Sequence, residues 1–359
     1  MHQQTKLRIG LAGTSHPKRR GREVSLDLAQ GLERLGYEIA DDKNFEVLIN
    51  VNHNWNAISE IELLETGRAP LKILIRVEPP SVYPNQYTYA VESKYDMLLS
   101  PGNINSDEEN FLRWPYAYHL NPSAPSATTT SVREVLRTNM GSGVYSYENW
   151  ITRPITFSMI AANKISPNGT GNYALRRKLA SYDSSDFLQV YGALWNASLR
   201  AKLRYRFGVL KFAVESKSDY QIQSIFHGLS QRFKNAIGQV YDKHSIILNS
   251  KFSVVVENSD DYVSEKLLDA IMGGSIPIYY GPNLSKTGIP EDLVVRCSRE
   301  HPELHRVQSA FTRQKVEEWL EKVSLFLNGA EFRMWEAEKV HAEICARIDS
   351  MIRAGQTSC

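Results

Sequence analysis

The stretch KFSVVVENSDDYVSEKLLDAIMGGSIPIYYGP, Lys251 to Pro282, decides the fold. A β-branched run, FSVVV, stops at a dense polar cluster. A segment with apolar residues at helical spacing follows and ends at Gly273-Gly274. A second apolar run, SIPIYYG, then closes on Gly-Pro. Strand, helix and strand in this order describe a βαβ unit, in which ligands gather at the carboxyl ends of the strands. Glu257, Asn258, Tyr262, Glu265 and Lys266 all fall at that junction. Ser264 is placed to cap the helix, because its hydroxyl can accept from an unpaired N–H of the first turn. A helix N-terminus with a lysine beside it suits phosphate. Glu257 and Glu265 can accept from paired sugar hydroxyls, and Tyr262 offers a ring face and a hydroxyl. A nucleotide sugar would use all of these groups. The same residues also fit an ordinary first turn facing solvent, and local chemistry does not choose between the two.

The rest of the chain repeats the pattern. KLRIGLAG, FEVLINVN, LKILIRVEPP and YDMLLSPG read as strands, separated by helical patterns at 23–39 and 57–70. The Pro/Ser/Thr-rich NPSAPSATTTS, 121–131, reads as a loop, after which the alternation restarts with RPITFSMIAANK, NYALRRKLASY and FLQVYG. Alternating strands and helices predict parallel sheets covered on both faces. The boundaries expected are 1–150 for a first lobe with its connection, 151–325 for a second lobe, and 326–359 for a helical tail.

Composition narrows the class. A chain of 359 residues with 42% hydrophobic and 23% charged residues is globular and long enough for two domains. A formal net charge of +2 gives no reason to expect nucleic acid as a partner. Three cysteines, Cys297, Cys345 and Cys359, match no zinc spacing and leave an odd thiol, which fits a reducing cytoplasm. No window is apolar enough to span a bilayer and no secretory leader is evident at the start. The basic loop TSHPKRRGRE, 14–23, could meet a phosphorylated or lipid-linked acceptor or the inner face of an anionic membrane, giving peripheral association; such runs are more often simply solvated.

The Lys251–Pro282 stretch resembles the signature of the family-10 glycosyltransferases, the α-1,3/1,4-fucosyltransferases, in their bacterial form. That family shows a strand, Glu-Asn-Ser, Tyr-Val/Ile-Thr-Glu-Lys, a helix and a Pro-bearing strand in this order. Met159 to Leu179 resembles its first donor-lobe strand, Asn-bearing loop and Arg-bearing helix. Ser264 stands where the family has threonine, and the loop from Asn258 to Tyr262 is shorter.

The resemblance implies a GT-B architecture: two Rossmann-like α/β lobes facing a cleft, with C-terminal helices. It implies inverting transfer of fucose from GDP-fucose to a hydroxyl of an oligosaccharide or lipid-linked glycan, in α-1,3 or α-1,4 linkage. Asn258 and Tyr262 would contact the nucleotide, and Glu265 and Lys266 would hold sugar hydroxyls and phosphate. One of Arg176, Arg177 and Lys164 would meet the diphosphate.

Glu78, after the strand LKILIRV and before Pro79-Pro80, resembles the family's acceptor-lobe glutamate and is the expected general base. Glu92 and Asp96 are weaker candidates. His53 and His119 read as structural histidines. No metal ligand set is evident, and no cofactor is expected, since basic side chains and helix termini can stabilise the leaving diphosphate. Two alternatives stay open: another sugar nucleotide as donor, or a non-catalytic nucleotide- or sugar-binding protein.

Overall fold

A computed structural model describes residues 6–13, 23–40, 42, 44–53, 70–102, 110–114, 119–120, 129–130, 132–181, 187–215, 220–226, 228–240, 242–300 and 303–357. The basic loop 14–22, most of the expected helix at 57–70, most of the 121–131 segment and Cys359 lie outside the described residues. Cys297 and Cys345 are free thiols.

The chain forms two compact units, each an α/β unit with its own parallel sheet, as the sequence pattern predicts. The first comprises 1–78, 86–132 and 333–359. Its sheet runs β2-β1-β3-β4-β5, with β1 Arg8–Gly13, β2 Glu38–Ile39, β3 Val47–Val51, β4 Leu71–Ile75 and β5 Met97–Leu99. Every pairing is parallel. All five β3 residues are buried, which is why that segment reads as a continuous apolar run rather than an alternating one. A small antiparallel pair, β6 His119–Leu120 and β7 Thr129–Thr130, stands apart.

One face of the first sheet is covered by the helices Glu23–Arg34 and Ala337–Thr357. Leu28 and Leu32 from the first and Val340, Ile344 and Ile348 from the second join Ile9, Ile49 and Ile73 in one core. The two helices meet at Gly31, where an added Cβ would lie 2.0 Å from His341 Nδ1. The expected tail, 326–359, is thus divided. Asn328 ends a helix of the second unit, and 333–359 completes the first.

The second unit comprises 79–85 and 133–332. Its six-stranded parallel sheet is ordered β10-β9-β8-β11-β12-β13. The strands are β8 Ile155–Ile160, β9 Leu188–Tyr191, β10 Ala236–Gly238, β11 Ser250–Val256, β12 Ile276–Tyr280 and β13 Val295–Arg296. The chain leaves β8 toward β9 and β10, then returns to lay β11 on the other side of β8. The order therefore reverses between β8 and β11, and their carboxyl ends open the crevice where ligands of such sheets bind. The core is aromatic at this centre: Phe157 of β8 stacks on Phe252 of β11 with centroids 4.7 Å apart. The helix Glu265–Met272 buries Leu267, Leu268, Ala270 and Ile271. It stops because Gly274 adopts φ +61°, a left-handed conformation that favours glycine.

Candidate functional site

Ser264 caps the 265–272 helix as its sequence position predicts, accepting from the Lys266 N–H. The Lys266 ammonium folds back onto the same hydroxyl at 3.0 Å. Glu257, the first residue after β11, is fully enclosed. Its Oε1 accepts from the Ser264 N–H at 2.9 Å and lies 3.4 Å from the Tyr279 hydroxyl, which donates to it. Burial pushes the Glu257 carboxyl above the ordinary range, against the opposing pull of Lys266 and Ser264. Glu257 therefore anchors the helix to the strand end, and no face of it is open to a sugar. Tyr262 is likewise buried. Glu265 is half-buried; burial pushes its carboxyl up, but Lys266, Lys243 and Arg176 outweigh that and hold it below the usual range.

Arg176 and Arg177 occupy the helix Tyr173–Ala180, and both are buried. Arg176 Nη2 donates to the Val256 carbonyl and to Asn258 Oδ1, each at 2.7 Å, and its guanidinium lies 5.0 Å from the Tyr173 ring centroid. Burial lowers its pKa. Arg177 points elsewhere, donating to the Lys164 carbonyl at 3.1 Å, and is pulled down to about 10 by burial, Arg206 and Arg176. Successive helical residues diverge by about 100°, so the two guanidinium groups serve different strand ends. Arg176 ties the helix to the end of β11, and Arg177 ties it to the loop after β8.

Asn258 is held from three sides. Its carbonyl accepts from the Asn172 N–H at 3.0 Å and from the Ser81 hydroxyl at 3.2 Å. Beyond it, Asp260 takes the Asn172 side chain at 2.9 Å and pairs with Arg299, which lowers its pKa. The short 258–262 loop is thus pinned to the turn before the 173–180 helix. That turn needs Gly171, at φ +83°, because a Cβ there would sit 2.4 Å from the Asn258 carbonyl oxygen.

Among the described cavities, the candidate residues of the second unit are divided. Glu265 and Lys266 line a cavity of about 80 Å³ between their helix and the sheet, together with Lys243 and Asp269, which pair at 2.6 Å. That volume is too small for a nucleotide, whose sites run to hundreds of Å³. Lys164 is exposed and lines a hollow of about 600 Å³ with Tyr173, Arg204 and Tyr205. Between these places, the ends of β8 and β11 hold buried polar atoms with no hydrogen-bond partner among the described residues. They are both side-chain atoms of Asn163, Arg176 Nε and Glu257 Oε2. Buried polar atoms of this kind call for a partner that the chain does not supply, either a water or a bound group. Asn163, one residue before Lys164, carries the only signal for its role in its position at a strand end.

Glu78 belongs to the first unit, where it follows β4, and its backbone is clamped. Its N–H donates to Asn52 Oδ1 at 3.3 Å, and its carbonyl accepts from Gln86 Nε2 at 2.8 Å and the Tyr87 hydroxyl at 2.9 Å. Asn52, just past β3, also receives the Val77 N–H and holds φ +54°. Asparagine is among the few residues besides glycine that adopt this region readily. The secondary candidates have other work: Glu92 pairs with Arg76 at 2.5 Å, and Asp96 accepts from the Lys72 N–H at 2.7 Å. His53 is buried with its Nδ1 2.6 Å from the Tyr95 hydroxyl, and burial with Lys94 nearby brings its pKa down to about 4. It is a neutral structural histidine. The His119 side chain lies outside the described residues.

No family model matches the chain, and no curated protein matches its sequence. Solved structures do. HepE from Anabaena in complex with UDP and glucose is similar at a TM-score of 0.52 and 8% identity, over 96% of this chain and all of that one. HepE with UDP gives a TM-score of 0.52 and 9% identity over the same shares. The fold is of the GT-B glycosyltransferase type. An α1,3-fucosyltransferase with GDP is also similar, at a TM-score of 0.47 and 14% identity, over 95% of this chain and 90% of that one.

Proposed function

We propose that the chain is an inverting glycosyltransferase that binds a nucleotide-sugar donor at the carboxyl ends of β8 and β11, with GDP-fucose as the donor. The observation that carries the reading is the pair of orphaned polar groups on Asn163 and Arg176, in the same segments as Lys164 and Tyr173, which line a hollow of about 600 Å³. They lie where the strand order reverses, the place such sheets use for nucleotides. Lys164 supplies positive charge for a diphosphate, and Tyr173 and Tyr205 supply ring faces. Asn258 and the Lys266 end of the 265–272 helix then address the sugar side. Fucose is favoured by the Glu-Asn-Ser and Tyr-Val-Ser-Glu-Lys order of residues 257–266.

Glu78 is the base in this reading. It takes the proton of the acceptor hydroxyl as the new bond to the anomeric carbon forms and the bond to the diphosphate breaks. The clamp by Asn52, Gln86 and Tyr87 keeps its main chain fixed, which suits a group that must meet a reacting atom within hydrogen-bond reach. The acceptor is a glycan hydroxyl. No cation is invoked, so transfer should persist in a chelator.

A donor screen against a glycan array tests the reading. GDP-fucose should transfer, whereas GDP-mannose and UDP-glucose should not. Glu78→Gln should keep GDP affinity and lower transfer about a hundredfold, the usual scale for losing a general base. Transfer from a UDP-sugar alone would reassign the donor, and GDP binding without transfer to any acceptor would make the protein a binder.

A further inference from the structure

The helix Leu199–Glu215 does not segregate its charged from its apolar residues. A helix on the surface of a folded unit normally buries apolar residues and shows its charges to water. Here Lys202 and Arg206 are buried, 5% and 1% exposed. The exposed ridge is Arg200, Arg204, Phe207, Lys211 and Val214, spaced four, three, four and three residues apart. The helix Ile222–Phe226 packs against it and exposes Ile222 and Phe226 one turn apart. Of the thirteen large apolar side chains exposed among the described residues, seven lie between Leu199 and Ile237, each 46% to 61% exposed. Single exposed apolar residues need no explanation, but a concentration of them marks an interaction surface.

The charge is concentrated in the same stretch. Residues 199–237 carry eight basic and two acidic residues, a net +6. The whole chain is +2, so everything else together is −4. At the start of the helix lies a hollow of about 630 Å³ lined by Ser198, Lys202, Arg232 and Lys234. Lys202 Nζ donates to the Gln231 carbonyl at 3.1 Å, which holds the ammonium at this hollow, and Arg232 lies close enough to depress its pKa further after burial and Arg206. The helix start adds its own partial positive charge.

We propose that the surface formed by residues 199–215, 220–226 and 228–237 docks on an anionic phospholipid bilayer. Phe207, Val214, Ile222 and Phe226 enter the boundary between headgroups and acyl chains. Arg200 and Lys211 pair with lipid phosphates around them, and the Lys202–Arg232–Lys234 hollow receives one phosphate. Long cationic side chains can reach lipid phosphates while their apolar neighbours enter the boundary. A second copy of the chain fits poorly, because two faces that each expose Arg200, Arg204, Lys211, Arg232 and Lys234 repel. Nucleic acid would leave the apolar residues without a partner. No described helix is long and apolar enough to cross a membrane, so this contact is peripheral. The donor-site reading is not needed for it.

Vesicle sedimentation of the full chain is the test, with phosphatidylcholine alone and mixed with phosphatidylglycerol. Binding to the mixed vesicles should exceed binding to the neutral ones at least tenfold at low salt and fall as salt rises. Phe207→Ser with Phe226→Ser, and separately Arg200→Gln with Lys234→Gln, should each weaken it about tenfold with circular dichroism unchanged. If either pair fails to fold, hydrogen exchange on the wild-type chain decides: mixed vesicles should slow exchange across 199–226 and not across 313–328. Equal binding to both vesicles, no binding, or no protection overturns the proposal. So does a dimer that the Phe variants dissociate in the absence of vesicles, which would assign the surface to a second copy.

Discussion

Glu257 Oε1 receives the Ser264 N–H at 2.9 Å, so a carboxylate with no exposed surface holds the start of the 265–272 helix against the end of β11. Burial raises the pKa of this group above its unfolded value of 4.5. The folded chain therefore binds the proton more tightly than the unfolded one. The favourable contribution of the protonated form is complete below about 4.5 and is lost as pH rises through the folded pKa. Glu257→Gln keeps an acceptor for Ser264 and has no proton to lose. Urea unfolding of both proteins at several pH values should show the variant gaining on the wild type as pH rises. A constant difference would mean that Glu257 does not titrate in this range.

Arg176 should matter more to stability than its neighbour Arg177. Arg176→Ala leaves the Val256 carbonyl and the Asn258 amide without their donor, and hydrogen bonds to a charged group are each worth about 1.5–3 kcal/mol. A loss of about 3 kcal/mol is expected in denaturant unfolding. Arg177→Ala gives up the bond to the Lys164 carbonyl but also relieves repulsion from Arg206 and Arg176. Its loss should be smaller. The reverse order would show that the 173–180 helix is held from the β8 side.

Gly171→Ala should destabilise for two reasons that a control can separate. Its φ of +83° costs a residue with a Cβ about 1–2 kcal/mol, and that Cβ would meet the Asn258 carbonyl oxygen at 2.4 Å. Gly36 has φ +97° with open space around it, so Gly36→Ala reports the conformational part alone. Thermal melts should show the larger loss at Gly171. Under the proposed donor site, calorimetry should also show weaker nucleotide binding there, because the clash displaces the end of β11. Equal losses at both positions would mean that the Asn258 carbonyl moves away at little cost.

His53 predicts a pH dependence of opposite sign to that of Glu257. Its folded pKa of about 4 lies below the ordinary 6.5, so the unfolded chain takes the proton more readily. The stability it contributes is complete above about 6.5 and is lost as pH falls toward 4. His53→Gln can still bond the Tyr95 hydroxyl but does not titrate. The stability gap between the two proteins should close or reverse on acidification across that window. A histidine resonance that titrates near 6.5 in the folded protein and is assigned to His53 would contradict this.

The α/β class, the alternation of strands and helices, the Ser264 cap and the glycine stop after Met272 were legible in the sequence. Each depends on neighbours within a few residues, through the rhythm of apolar side chains, an orphan N–H and a positive φ. The segment 199–215 was not legible as a helix, because Lys202 and Arg206 lie on its buried side and erase the apolar stripe. Its excess of positive charge was present in the sequence all along. What the sequence did not determine is which partners each group meets. Glu257 and Tyr262 read as ligand contacts because polar residues at a strand end usually face solvent, and only packing shows them enclosed. The C-terminal helix has a clear period, but its docking on the first unit depends on Gly31 being small enough to admit His341, more than three hundred residues away in the chain. The orphaned atoms of Asn163, Arg176 and Glu257 belong to three separate segments, and only the crossing from β10 back to β11 brings those strand ends side by side. Periodicity is a local property of a chain, whereas burial and hydrogen-bond satisfaction depend on which distant segments come to lie together.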